Sequence, residues 1–321
     1  MKIGYFADGL WSHKALEKIL EDERFVISFI VPRYDTQDPV LKEYSDHLNV
    51  DYLPIKNVNH ADAIDKLTGY GADIFVSMSF NQILKKKILE SAPLGFINCH
   101  AGALPFYRGR NVLNWVLIND EKEFGVTVHY IDEGIDTGDI ILQTMGEITD
   151  HDDYSTLLSQ SIDLCAELLF NSLDEIDKGT AIRKPQSEIH PVGFYCSRRI
   201  DGDEEIDWNW KSRQIFNFIR AISKPGPCAR TTLNGNEIVV KKASIVPDAV
   251  DYIGIPGEIV GLKDGGLIVK TGDSIIFIKS LSPPHSSKIY RVGTRFGMNL
   301  LKKVQLLQER VKELENSTRQ I

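Results

Sequence analysis

Over the first hundred residues, short apolar runs at 3–6, 25–31, 74–77 and 96–99 are separated by helical patterns at 13–21, 61–67 and 84–90. Strands that alternate with helices in this way build a parallel, twisted sheet covered on both faces, because each strand returns to the sheet through a helix. Ligands of such sheets bind beyond the carboxyl ends of the strands. Here those ends carry Ala7-Asp8-Gly9 and residues 77–82, 98–100 and 132–139. The predicted fold class is therefore α/β, with a Rossmann-like first domain that closes on a long helix near 154–178. The turn Asp8-Gly9-Leu10 lacks the Gly-x-Gly-x-x-Gly fingerprint, so a dinucleotide site is not predicted.

The segment Gly95-Phe96-Ile97-Asn98-Cys99-His100 reads as a strand. Side chains alternate along a strand, which puts Asn98 and His100 on one side and Cys99 on the other. A hydrogen-bond donor and a proton acceptor then share a small volume. Residues 125–131 read as the next strand, and the acidic loop that follows, Asp132-Glu133-Gly134-Ile135-Asp136-Thr137-Gly138-Asp139, can return Asp136 to His100. A carboxylate there orients the imidazole and stabilises its protonated form. Each residue alone also fits a plainer role, a satisfied polar group at a strand end or a turn. The ordered set, with Leu104-Pro105 and Tyr107-Arg108-Gly109 between its parts, is a rarer coincidence than any member of it.

On those residues the stretch 72–143 resembles the 10-formyltetrahydrofolate-dependent formyltransferase family, whose Asn-x-His, Leu-Pro-x-(Tyr/Trp)-Arg-Gly and Asp-x-Gly-x-Asp-Thr-Gly-Asp elements stand here in order. The resemblance implies that Asn98, His100 and Asp136 are the catalytic trio. It also implies a 10-formyltetrahydrofolate donor held by two loops, here Met78, Phe80, Asn81, Gln82 and Ile83 of one and Asp132, Glu133 and Gly134 of the other. Residues 107–115 are more similar to relatives acting on nucleotide-linked amino sugars than to the tRNA enzymes. The leading expectation is thus a sugar-nucleotide N-formyltransferase serving surface polysaccharide synthesis, with a dTDP or UDP amino sugar as acceptor. Tyr107, Arg108, Gly109 and Arg110 would then line the acceptor site, the two guanidinium groups either gripping a pyrophosphate or standing as solvated loop charges. Asp8, Gly9 and Trp11 would face the sugar or nucleotide. The alternatives are a methionyl-tRNA formyltransferase and a non-catalytic folate- or nucleotide-binding module. In the catalytic readings an amine attacks the formyl carbon directly, His100 takes its proton and Asn98 donates to the developing oxyanion, a contact of about 3 kcal/mol.

With 321 residues, 42% of them hydrophobic, the chain suits about two domains. Its formal charge of −8 argues against a polyphosphate partner, so a small-molecule substrate is expected and nucleic acid is not. Cys99, Cys165, Cys196 and Cys228 are scattered and suggest neither a disulfide framework nor zinc. The spacing of Asp132, Glu133, Asp136 and Asp139 is not that of a calcium loop, and no metal is expected. Without a signal layout or an apolar run near the ~20 residues that span a bilayer, a cytoplasmic protein away from membranes is predicted. The predicted division is a catalytic domain at 1–200, a second domain at 201–290 and a helix at 291–321. Short strand patterns at 229–233, 237–243, 257–262, 267–269 and 275–279 suggest a small barrel, and the resemblance implies an OB-like one. Leu300, Val304, Leu307, Val311 and Leu314 recur at four-three spacing, a stripe that either packs on its own subunit or is covered by an identical helix in the expected homodimer.

Overall fold

In the first hundred residues β1 (Lys2–Ala7) leads into α1 (Gly9–Ile19), followed by β2 (Val26–Pro32), α2 (Pro39–Leu48), β3 (Asp51–Tyr52), α3 (Ala61–Thr68), β4 (Ile74–Met78), α4 (Lys86–Leu89) and β5 (Phe96–His100). Then come β6 (Arg108–Gly109), α5 (Val112–Ile118), β7 (Glu123–Tyr130), β8 (Ile140–Glu147), the 24-residue α6 (Tyr154–Asp177) and β9 (Tyr195–Cys196). This computed structural model describes residues 1–284, 289–297, 304 and 307–312. It forms two compact units, the first made of residues 1–116, 121–152 and 156–199, the second of 117–120, 153–155 and the chain from 200 onward.

The main sheet has the order β3-β2-β1-β4-β5-β7-β8. Strands β1 to β5 pair in parallel, as the alternation with helices requires, and the chain reverses its direction of travel across the sheet between β1 and β4. The parallel order ends at one edge, where β7 runs antiparallel to both β5 and β8. The reason lies in the connection from β5 to β7, which holds only the seven-residue α5 and no crossover helix on the scale of a βαβ unit. A further element escaped the sequence pattern. Helix α2 buries only Leu41 and Ser45, so it shows no apolar stripe. Asp38 caps it through Val40 N and Leu41 N with Pro39 in the first turn, and the same carboxylate accepts from Gly9 N at the start of α1. That second bond starts α1 four residues ahead of the predicted position.

The core of the sheet's first face is aromatic. Phe6 is fully buried with its ring centroid 4.8–5.9 Å from those of Phe29, Phe75, Phe80 and Phe96. Phe6→Ala is expected to cost about 3–5 kcal/mol in urea unfolding, since a hole among four rings cannot collapse. A cost below about 1 kcal/mol would show that the neighbours repack.

The second unit contains α7 (Ser212–Ala221) and an antiparallel sheet of β10 (Ala229–Leu233), β11 (Asn236–Ile245), β12 (Ile259–Lys263), β13 (Gly266–Lys270) and β14 (Ile275–Ser282). Its ladder runs β10-β11-β14-β13-β12, and among the described residues β10 and β12 are its two ends. Trp208 stacks on Phe296 and donates to Thr231 Oγ1, while Trp210 packs edge-on against Phe218, so both indoles belong to this unit's own core. Of the predicted C-terminal stripe, Leu300 and Leu314 lie outside the described residues, whereas Val304, Leu307 and Val311 are roughly half exposed. No described helix is long and apolar enough to cross a membrane.

Candidate active site

The antiparallel pairing of β5 with β7 sets Asn98 directly opposite His129 and His100 opposite Thr127. Directly opposed residues share a face. Asn98, His100, Thr127 and His129 therefore project together, while Cys99 turns the other way and its Sγ lies 3.7 Å from the Cys165 carbonyl of α6. His129 Nδ1 sits 2.7 Å from the Tyr130 carbonyl, which can only accept, so Nδ1 carries the hydrogen. Nε2 of the same ring then offers a lone pair 3.3 Å from Asn98 Nδ2, which donates to it. His100 Nε2 likewise donates to the Tyr107 carbonyl at 2.7 Å, which leaves Nδ1 facing Asp136 Oδ2 at 3.7 Å.

Asp136 stands between the two rings, with Oδ1 3.6 Å from His129 Nε2 and Oδ2 accepting from Gly109 N at 2.8 Å. The separations to the imidazoles exceed hydrogen-bond length, so the carboxylate acts on them chiefly as a charge. Its side chain is only 14% exposed. Burial alone would push this carboxyl up, but the neighbouring His100, then His129, and the Gly109 N–H outweigh it and hold Asp136 well below the usual carboxylate range.

Because β7 is antiparallel, its carboxyl end lies level with Phe96, whose carbonyl accepts from Ile131 N. The site consequently occupies one face of the β5–β7 ladder, and the loop 131–139 doubles back along it to bring Asp136 to His100. The facing loop is fixed from below: Thr127 Oγ1 donates to the Gly102 carbonyl and accepts from Leu104 N, and Gln143 Nε2 donates to the Leu104 carbonyl. Gly102 has to be glycine, since a Cβ there would lie 2.5 Å from both His100 Nε2 and the Tyr107 carbonyl oxygen. Gly102→Ala is expected to displace the imidazole and lower kcat about 100-fold, and a rate within about threefold of wild type would show that the contact is slack.

The structure brings Asn98, His100 and Asp136 together as the sequence predicted and adds His129. The residues expected in binding roles are scattered more widely. Met78 is buried at the end of β4, Phe80 packs on Phe6, Asn81 Nδ2 donates to Asp35 and Ile83 is exposed. Gln82 turns away from the loop, its amide bridging Val58 N and the Ile55 carbonyl. Asp132 Oδ1 accepts from Gly134 N and Thr137 Oγ1, which holds the loop in shape and leaves Glu133 exposed. Asp8 pairs with Arg33 and accepts from Thr36. Asp8, Gly9 and Trp11 follow β1, which β4 separates from β5, so they lie about 10 Å from the trio's strand. Arg110 is exposed, and Arg108 directs Nε and Nη2 at Gln186 Oε1 at 3.1 and 2.5 Å. His129 left a signal in the sequence, two residues beyond Thr127 on a predicted strand, that only the antiparallel register makes readable.

The fold is α/β, and the site gathers an amide, a carboxylate and two imidazoles. The chain belongs to the formyl transferase family: the family's N-terminal domain matches residues 31–173 and its C-terminal domain residues 200–291. A methionyl-tRNA formyltransferase of Halothermothrix orenii is 32% identical over 313 residues, covering 94% of this chain and 98% of that protein. One from Ruminiclostridium cellulolyticum is 32% identical over 251 residues, 78% of this chain and 80% of that protein. Among solved structures, the N-formyltransferase of Helicobacter canadensis in complex with folinic acid and dTDP-3-aminofucose superposes with a TM-score of 0.66 at 21% identity, covering 87% of this chain and 99% of that one. At that identity the likeness shows the fold alone.

These relatives overturn the sugar-nucleotide expectation. Proteins named methionyl-tRNA formyltransferase match at 30–34% identity over most of their length. The residues that suggested a sugar acceptor have local partners instead: Arg108 binds Gln186, Asn111 Oδ1 accepts from Arg199 N, and Trp115 Nε1 donates to the Ser197 carbonyl. They lace the loop to residues 186–199 of the same unit, a packing role that accounts for their identities without a sugar acceptor.

Proposed function

We propose that this enzyme transfers the formyl group of 10-formyltetrahydrofolate to the α-amino group of methionyl-tRNA. The observation that carries the acceptor is the 30–34% identity to methionyl-tRNA formyltransferases over most of both chains. The charge of −8 does not oppose it, because the charge is unevenly placed. Residues 1–200 hold 19 lysines and arginines against 31 acidic residues, but residues 201–321 hold 18 against 14. A net sum hides the basic excess of residues 201–321, and local charge is what meets phosphates.

The folate donor suits the two loops beside the trio. The loop after β4 leaves the sheet at the point where strand order reverses, and Gln82 has its side chain turned inward there, so main-chain groups and the exposed Asn81 and Ile83 are what the loop presents. A pterin edge of alternating donors and acceptors matches such main-chain groups. When bound, the donor supplies an activated formyl carbon.

The chain's own residues then perform three tasks. Asn98 has one Nδ2–H held by His129 Nε2, and the other is directed at the formyl oxygen, where negative charge develops as the amine attacks. His100 takes the amine proton at Nδ1, the ring nitrogen left without a hydrogen by the bond to Tyr107, and returns it to the departing nitrogen. Asp136 stabilises the imidazolium between those events. No side chain forms a covalent bond to the formyl group, and Cys99 faces away from it.

The test is incubation with 10-formyltetrahydrofolate and either methionine-charged initiator tRNA or a panel of dTDP- and UDP-linked amino sugars. Formyl-methionyl-tRNA is the expected product. Formylation of an amino sugar with none of the tRNA would overturn the reading.

A further inference from the structure

Residues 184–199 form a strap across both motif loops. Lys184 exchanges main-chain hydrogen bonds with Ile140, Tyr195 and Cys196 pair with Arg108 and Gly109, and Phe194 packs on Phe106 and Tyr107. Within the strap, Gln186 opens a short 3-10 turn and is only 4% exposed. Its amide is saturated: Nε2 donates to the carbonyls of Asp136 and Gly138, both at 2.9 Å, and Oε1 accepts Nε and Nη2 of Arg108. The backbone of Asp136 lies in the left-handed region, φ 53°, and Arg108 directly precedes the Gly109 N–H that Asp136 Oδ2 accepts. One side chain thus grips both ends of the contact that aims the carboxylate at the two imidazoles.

We propose that Gln186 is a positioning residue for formyl transfer, holding Asp136 and the Arg108–Gly109 segment in register so that the carboxylate faces His100. The proposal rests on the role given to Asp136 above. A primary amide is the one neutral side-chain group of this length that both donates to two carbonyls and accepts from a guanidinium. Glutamate keeps the Arg108 pairing but sets a carboxylate oxygen against two carbonyl oxygens. Methionine keeps the volume and loses both ends. A misplacement of about 1 Å suffices to lower a rate about 100-fold without touching the substrate's own contacts.

The test measures kcat, KM for 10-formyltetrahydrofolate and Tm for wild type, Gln186→Glu, Gln186→Met and Asp136→Asn, with methionine-charged initiator tRNA as acceptor. Both Gln186 variants should lose about 100-fold in kcat with KM for the donor held within about threefold. If Gln186→Glu does not fold, Gln186→Met decides. Either variant with kcat within about threefold of wild type overturns the proposal, as does a rise in KM with kcat unchanged, which would mark a binding role instead. Asp136→Asn separates the two levels: if it retains half the wild-type rate, the reading of Asp136 fails whatever Gln186 does, and if it is dead while the Gln186 variants are active, only the positioning role fails.

Discussion

His100→Asn should lower the rate of formyl transfer by about 10³- to 10⁴-fold while the affinity for 10-formyltetrahydrofolate stays within about tenfold, the signature of a group that acts chiefly in the transition state. Asparagine ends short of the position of His100 Nε2, so the bond to the Tyr107 carbonyl is lost together with the basic nitrogen, and the donor affinity reports whether the loop stays in place. Single-turnover kinetics with a parallel donor titration separates the two quantities. A variant that keeps half the wild-type rate would remove His100 from the mechanism.

Asp136→Asn is expected to fall by a comparable factor for a different reason. The variant retains an oxygen for the Gly109 N–H but brings a neutral amide to a place where two imidazoles face a negative charge. The imidazolium formed when His100 takes the amine proton then has no counter-charge, and in a buried site that loss is large. The same environment fixes the sign of the pH dependence. The folded carboxyl lies below its unfolded value of about 3.9, so its charge contributes stability that is fully present above that pH and is lost as pH falls through the depressed value. Asp136 is accordingly a permanent charge at working pH, and kcat/KM should show no break at about pH 4, where an ordinary carboxyl titrates. A break there would contradict the depression.

What the sequence revealed of this site followed from local rules, and what it concealed depended on distant partners. The period of a strand put Asn98 and His100 on one side, and the order of the acidic loop pointed to Asp136. His129 sat in a strand already recognised, yet its place opposite Asn98 depends on the direction of β7, which no residue of β7 encodes. Gln186 lies 50 residues from Asp136 and 78 from Arg108. It has no local pattern to betray it, since a lone glutamine reads as a surface residue. Arg108, Asn111 and Trp115 likewise engage partners 78 to 88 residues further along the chain, which no local pattern announces. Helix α2 was missed because it rests on the Asp38 cap and not on an apolar stripe. The net charge conceals that the acidic excess lies in the first two hundred residues and that the remainder is basic.

Formyl transfer to an aminoacylated tRNA by Asn98, His100 and Asp136, beside one face of the β5–β7 ladder, is the reaction we propose. It is tested most directly by following the isotopically labelled formyl group of 10-formyltetrahydrofolate in a single turnover with enzyme in excess over methionine-charged initiator tRNA. Mild base then releases the amino acid from the tRNA for mass analysis. Labelled formyl-methionine from the wild-type enzyme, and none in the same interval from Asp136→Asn, is the predicted result. Label that never reaches methionine, or that reaches it equally fast with Asp136→Asn, would contradict this mechanism.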